Sequence, residues 1–242
     1  MTRENLAEKY RPISLDDIVG QLLVVRKIKN LLATPGGLKV NLLLIGPPGS
    51  GKTSATYCIA MVYWKHNKNE TINGFFTNDY NDNWTGCFHK FTGRNLILAD
   101  IRGEITRLTQ YKGKRIIFID ETDGLSVDDQ EVLTTIMEGP GNVVFILSSN
   151  YEEKIQPRIK SRCVVLIFHA LKSDVIYERL VEISVAEVLV ESGASPELDR
   201  FYKKLAREAQ GDLRRAINEL ESFITDGELD MELVKEYLGG SR

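Results

Sequence analysis

The residues with the plainest chemical purpose are Gly46-Pro47-Pro48-Gly49-Ser50-Gly51-Lys52-Thr53, a G-x4-G-K-T run. Glycines so spaced let successive backbone N–H groups curl around phosphate oxygens, and a helix opening at the end of the run adds partial positive charge. Lys52 is spaced to reach the β and γ phosphates, the Thr53 hydroxyl to ligate Mg²⁺, and Ser54 leads the loop into the helix. The flanks agree: Val40 to Ile45 is a mostly apolar run of strand length, and Ser54 to Val62 carries a helical apolar stripe. Strand, glycine loop and helix together imply a nucleoside triphosphate site with Mg²⁺ beside it.

Further along, Arg115 to Ile119 is an apolar run ending in Asp120-Glu121-Thr122-Asp123. Open α/β sheets place ligand crevices at the carboxyl ends of such strands. Asp120 is suited to hold Mg²⁺ there, and Glu121 to polarise an attacking water as general base. Asn150 ends the next apolar run, Val143 to Leu147 and Ser148-Ser149. It is either a turn residue, as Asn often is, or a neutral amide that orients the water. Arg162, between Pro157 and the apolar Val164 to Phe168, is either a surface ion-pair partner or a finger projecting into a neighbouring subunit's site. Gly211-Asp212-Leu213-Arg214-Arg215 opens a helix with Asp212 as N-cap. Its arginines either line a solvated face or reach the γ-phosphate.

The elements that must position these groups alternate. Helical spacing runs from Leu22 to Leu32, Pro35-Gly36-Gly37 is a loop, and the glycine-loop helix extends to about Trp64. From Lys65 to Gly93 the chain is rich in Asn, Gly and Thr, with a weak strand candidate at Gly74 to Thr77. Ile97, Ile101, Ile105 and Leu108 then recur at helical intervals. Ser126 is the expected N-cap of a helix reaching Met137. Strands alternating with helices predict an α/β domain with a parallel central sheet over residues 1–168. Beyond His169 only helical patterns remain, Asp174 to Glu191, Ser195 to Gln210, Asp212 to Thr225 and Met231 to Leu238. These predict a small all-α lid over 169–242.

Bulk composition narrows the class. At 242 residues the chain suits one large domain or two smaller ones, and its apolar and charged fractions are those of a globular protein. No apolar run has bilayer length, and Met1 to Asn5 lacks the apolar region of a secretory leader, so no membrane association is expected. Cys58, Cys87 and Cys163 have no metal-ligand spacing, and Cys58 falls in a helical apolar pattern as a core residue. A net charge of −3 does not mark a nucleic-acid binder, although an oligomer can gather basic patches around a pore.

Read together, these segments resemble the AAA+ ATPases, and within them the replication factor C small subunits of archaea and eukaryotes. The resemblance runs from about Leu6 to Phe223, weakening between Lys65 and Lys114. Glu8-Lys9-Tyr10-Arg11-Pro12 looks like the family's E-K-Y-R-P box and Val19-Gly20-Gln21 like the adenine-contacting box after it. Gly46 to Thr53 is similar to Walker A, Ile116 to Asp123 to Walker B, and Asn150 to sensor 1. Ser161-Arg162-Cys163 resembles the S-R-C box with its trans-acting arginine, and Gly211 to Arg214 the sensor 2 helix, implicating Arg214. The resemblance implies nucleotide contacts from Tyr10, Arg11, Pro12, Val19, Gly20, the loop through Ser54, Asp120 and Arg214. It implies catalytic roles for Glu121, Asn150 and Arg162.

The activity so implied is hydrolysis of ATP by a clamp loader that opens a PCNA-like sliding clamp and loads it onto primer-template DNA. The other subunits of the ring, a pentamer, would be partners, in the cytoplasm of a prokaryote or the nucleus of a eukaryote. Two other readings are a Holliday-junction branch-migration motor and a non-catalytic subunit cemented by nucleotide. The family normally carries a third helical domain, a collar, which this sequence, ending at Leu238 to Arg242, is expected to lack, and Thr134-Thr135-Ile136-Met137-Glu138 stands where the family has an arginine pair before Thr-Met-Glu. An inserted loop is expected around Trp84 to Gly93, and an acidic-Arg-Gly turn before a DNA-facing helix at either Thr77-Asn78-Asp79 or Asp100 to Gly103.

Overall fold

The computed structural model describes residues 5–35, 37–68, 83–84, 88–95, 103, 105–110, 114–139, 143–189 and 195–239. The chain divides into two compact units. One comprises Pro12–Pro47 and Gly51–Phe168, the other Met1–Arg11, Pro48–Ser50 and His169–Arg242.

The first unit is built on a sheet. Its strands are β1 (Asn41–Ile45), β2 (Asn83–Trp84), β3 (Phe88–Thr92), β4 (Arg115–Asp120), β5 (Val143–Ser149) and β6 (Cys163–Ile167), in the order β2-β3-β4-β5-β1-β6. All neighbours are parallel except β2 and β3. β1 pairs with β5 (Leu42 opposite Ile146) and with β6 (Leu42 opposite Val164). Because strand side chains alternate, the apolar runs feed two cores at once. Leu42, Leu44, Ile116, Phe118, Val144 and Ile146 pack on one face with the helices α2 (Leu22–Leu32) and α3 (Lys52–Lys68). Leu43, Ile45, Ile117, Ile119, Phe145 and Leu147 pack on the other. There they meet α4 (Thr106–Gln110), α5 (Val127–Met137) and α6 (Pro157–Lys160) through Ile105, Leu108, Leu133 and Ile159. Ser126 caps α5 by accepting the Asp129 N–H at 3.1 Å. Cys58 is buried in the first core, where its thiol is pushed up to about 12 chiefly by burial.

The strand β3 corrects the expected insertion around Trp84 to Gly93. Phe88-His89-Lys90-Phe91-Thr92 pairs residue for residue with β4 from Ile116 to Asp120. It lacks the continuous apolar run of its neighbours, because of its residues only Phe88 is buried. The Gly74 to Thr77 strand, the two alternatives for the acidic-Arg-Gly turn apart from Gly103, and Ile97 and Ile101 lie outside the described residues.

The second unit contains α7 (Ser173–Ala186), α8 (Pro196–Glu208), α9 (Leu213–Ser222) and α10 (Met231–Gly239) around a knot of aromatic rings. Phe201 and Phe223 centroids are 4.9 Å apart and those of Phe223 and Tyr237 5.1 Å, nearly edge-on. The helix expected to reach Thr225 stops at Ser222, and a hairpin follows, β7 (Ile224–Thr225) against β8 (Glu228–Leu229). Asp226 and Gly227 both have positive φ (52° and 91°), the Asp-Gly geometry of a tight hairpin turn.

Residues 5–11, expected with the α/β domain, instead group with this helical unit. α1 (Leu6–Lys9) buries Leu6 and packs on α9, and the Glu221 carboxylate accepts from Asn5 Nδ2 at 2.9 Å and the Leu6 N–H at 3.3 Å. The cause is long-range pairing, invisible to local pattern. Among the described residues no helix is long and apolar enough to cross a membrane.

Asn41 ties the start of β1 to both neighbours, accepting the Phe145 N–H at 2.9 Å and donating to the Arg162 carbonyl at 3.4 Å. Asn41→Ala should therefore destabilise the protein by about 1–3 kcal/mol in urea unfolding, since it leaves a strand donor in the sheet without its acceptor.

Candidate functional site

Three parallel strands bring their carboxyl ends together. β1 runs into the glycine loop, β4 ends at Asp120 and β5 is followed by Asn150. The loop's backbone fits a phosphate cradle. Gly49 and Gly51 have φ of 67° and 98°, values that side chains with a Cβ rarely adopt. Gly46 is needed for a different reason. A Cβ there would stand 2.3 Å from the Phe168 carbonyl oxygen. On Gly49 it would stand 1.8 Å from Asp212 Oδ1. The loop then enters α3 at Lys52, and the first turn of a helix is where backbone N–H groups and partial positive charge suit an anion.

Lys52 is buried, and its ammonium donates to the Gly46 carbonyl at 2.7 Å, the Pro47 carbonyl at 2.8 Å and Asn150 Oδ1 at 2.9 Å. Thr53 Oγ1 donates to Asp120 Oδ2 at 3.3 Å. A hydroxyl on a helix N-terminus beside a strand-end carboxylate is an oxygen donor set suited to Mg²⁺. Asp120 is fixed from behind, Oδ1 accepting from the Ser148 hydroxyl and from the Glu121 N–H at 3.2 Å. Glu121 adopts a left-handed conformation (φ 52°), which turns the chain sharply as it leaves the strand.

Sequence reasoning missed Arg94. It follows β3, and its Nε lies 2.7 Å from Glu121 Oε2, so the carboxylate expected to act as base is held in an ion pair. The only sequence signal was the position of Arg94 just past a strand that the Asn- and Gly-rich surroundings concealed. Ser148 and Ser149, read only as a strand end, are the other omission.

Of the remaining expected contacts, Val19 and Gly20 follow Ile18, whose Cγ2 would lie 3.6 Å from a Cβ on Gly51, and Pro12 accepts from the Cys58 thiol at 3.5 Å. Ser50 is buried and Ser54 half-buried in the first turn of α3. Arg162 is held within its own chain, NH1 donating to the Arg158 carbonyl at 2.8 Å and NH2 pairing with Glu138. In the helical unit the Tyr10 hydroxyl donates to Glu187 Oε1 at 2.5 Å, and Lys9 pairs with the same carboxylate. Burial first, then the bond to Glu187, pushes the Tyr10 phenol up to about 12, so it stays a donor at neutral pH. Arg11 forks onto Glu8, and Arg214 is exposed on the first turn of α9, which Asp212 caps by accepting the Arg215 N–H at 3.0 Å.

The parallel sheet, the glycine loop and the strand-end acids define the class, a P-loop nucleoside triphosphatase. Residues 42–171, more than half of the chain, match the family "ATPase family associated with various cellular activities (AAA)", and the chain belongs to that family. It is 30% identical over 236 residues to the replication factor C small subunit of Staphylothermus marinus, covering 96% of this chain and 66% of that protein. It is 34% identical over 229 residues to the protein of the same name from Methanosarcina barkeri, covering 89% and 60%. The chain thus spans 60–66% of the length of these relatives. Among solved structures, the RuvB Holliday junction branch migration motor of Thermotoga maritima superimposes with a TM-score of 0.70 over 98% of this chain and 73% of its own. At 20% identity it shares the fold.

Gly49→Ala tests the cradle. Its strained φ and the Asp212 contact should cost about 1–2 kcal/mol of stability. Nucleotide affinity should fall with it, measured by calorimetric titration with ATP.

Proposed function

We propose that this chain is an ATP-hydrolysing subunit of a clamp loader, acting with like subunits in a five-membered ring to open a sliding clamp and place it on primer-template DNA. The observation that carries the reading is sequence identity of 30–34% to replication factor C small subunits across 89–96% of the chain. Likeness to RuvB rests on fold at 17–20% identity and favours no second activity.

On this reading the substrate is ATP. Lys52, now satisfied by loop carbonyls and Asn150, has its ammonium where terminal phosphate oxygens would compete for it. Thr53 and Asp120 would hold Mg²⁺, which when bound neutralises phosphate charge. Glu121 takes the proton of the attacking water, and Arg94 sets when that carboxylate is free to do so. Asn150 orients the water. Arg162 serves a neighbour's site after leaving Glu138, where it offsets the charge that develops on the transferred phosphoryl group. Tyr10, Arg11, Pro12, Val19 and Gly20 are assigned to the adenosine end and Arg214 to the γ-phosphate.

Lys52→Ala should abolish Mg²⁺-dependent hydrolysis. Arg162→Ala should bind ATP as the unaltered chain does, yet hydrolyse it about a thousandfold more slowly within an assembly. Turnover should rise when a sliding clamp and primer-template DNA are added together. A steady-state phosphate-release assay reads all three, and a rate indifferent to clamp and DNA defeats clamp loading.

A further inference from the structure

We propose that Asp123 is a positioning residue for Asn150, bracing the backbone just past β5 so that the Asn150 amide faces Lys52. The inference rests on the role in hydrolysis given to Asn150 above. The ladder between β1 and β5 ends at Ile45 opposite Ser149, so Asn150 is the first residue without a strand partner to fix it. Its N–H goes instead to Asp123 Oδ1 at 3.1 Å, and the same oxygen accepts the Ser149 hydroxyl at 2.9 Å. That hydroxyl also accepts the Tyr151 N–H at 3.0 Å, and the Ser149 carbonyl receives the Gly46 N–H at 3.1 Å. One carboxylate oxygen thus anchors both residues at the bend, through bonds strengthened by its charge.

Asp123 is itself held. It sits in a 3-10 turn, Thr122–Gly124, whose buried Thr122 donates to the Ile119 carbonyl at 3.0 Å while the Gly124 N–H reaches the Glu121 carbonyl at 2.8 Å. The direction of the Asn150 side chain follows from its backbone, and with that backbone braced its Oδ1 lies 2.9 Å from the Lys52 ammonium. An ordinary loop acid would face water. This one receives two donors from the residues that deliver a catalytic amide.

The test is a mutant cycle in the same chain, with turnover and ATP affinity measured separately. Asp123→Ala should lower kcat about ten- to a hundredfold, since small misplacements of an orienting group cost that much, while KM for ATP stays nearly constant. Asp123→Asn, whose amide oxygen can accept the same two bonds, should retain most of kcat. Asp123→Ala combined with Asn150→Ala should be no slower than Asn150→Ala alone, because nothing is left to position. Losses that multiply, or an Asp123→Ala chain with unaltered kcat, overturn the proposal. Should Asp123→Ala not fold, Ser149→Ala removes one of the two bonds and its cycle with Asn150→Ala decides by the same rule. A chain without Lys52-dependent hydrolysis would defeat the proposed function instead. Hydrogen exchange at the Asn150 amide then still decides the brace, which predicts protection lost in Asp123→Ala and is refuted by equal protection.

Discussion

A buried ammonium organises this molecule. Lys52 is 7% exposed, and a cation so far from water is tolerated only where acceptors surround it. The acceptors come from the end of β1 and the residue after β5, which requires those strands to be neighbours and parallel. Once they are, β4 on the far side of β5 delivers Asp120 to the Thr53 hydroxyl, and β6 on the far side of β1 delivers the Phe168 carbonyl against Gly46. The glycines, the acids and the amide are distant in sequence. One cation makes them a single site.

Much of this was legible beforehand, for a physical reason. Strands buried on both faces must be apolar throughout, so β1, β4 and β5 announce themselves, and glycines at positive φ admit few substitutes. Asp120, Glu121 and Asn150 could be placed because each follows such a run. What escaped was held by pairing across the chain. β3 is half-covered and mixes Lys and His with Phe, so it reads as loop until β4 lies beside it. Arg94 was hidden with it. The N-terminal segment looked like a lead-in to the sheet, yet Glu221, more than 200 residues away, anchors it to the helices. The hairpin at Asp226-Gly227 was available in the sequence as a turn dipeptide, but a glycine near a helix end invites the simpler reading of a break.

The two kinds of likeness also separate cleanly. RuvB keeps the fold at 20% identity, which is what a parallel sheet with helices on both faces demands of a sequence and no more. The match to the replication factor C small subunit of Staphylothermus marinus covers 96% of this chain and so takes in the helical unit as well as the sheet.

Consecutive serines at the end of β5 carry one last consequence. Ser148 bonds to Asp120 and Ser149 to Asp123. Neighbouring residues on a strand point to opposite faces, so these two hydroxyls are not interchangeable. Were β5 to pair one residue out of step with β4, so that Leu147 fell opposite Asp120, the acid would lose its donor to a hydrocarbon side chain. The pair therefore marks the native alignment of β4 and β5. In that register each hydroxyl meets its own acid, and a step that brings up Leu147 leaves a carboxylate facing a hydrocarbon.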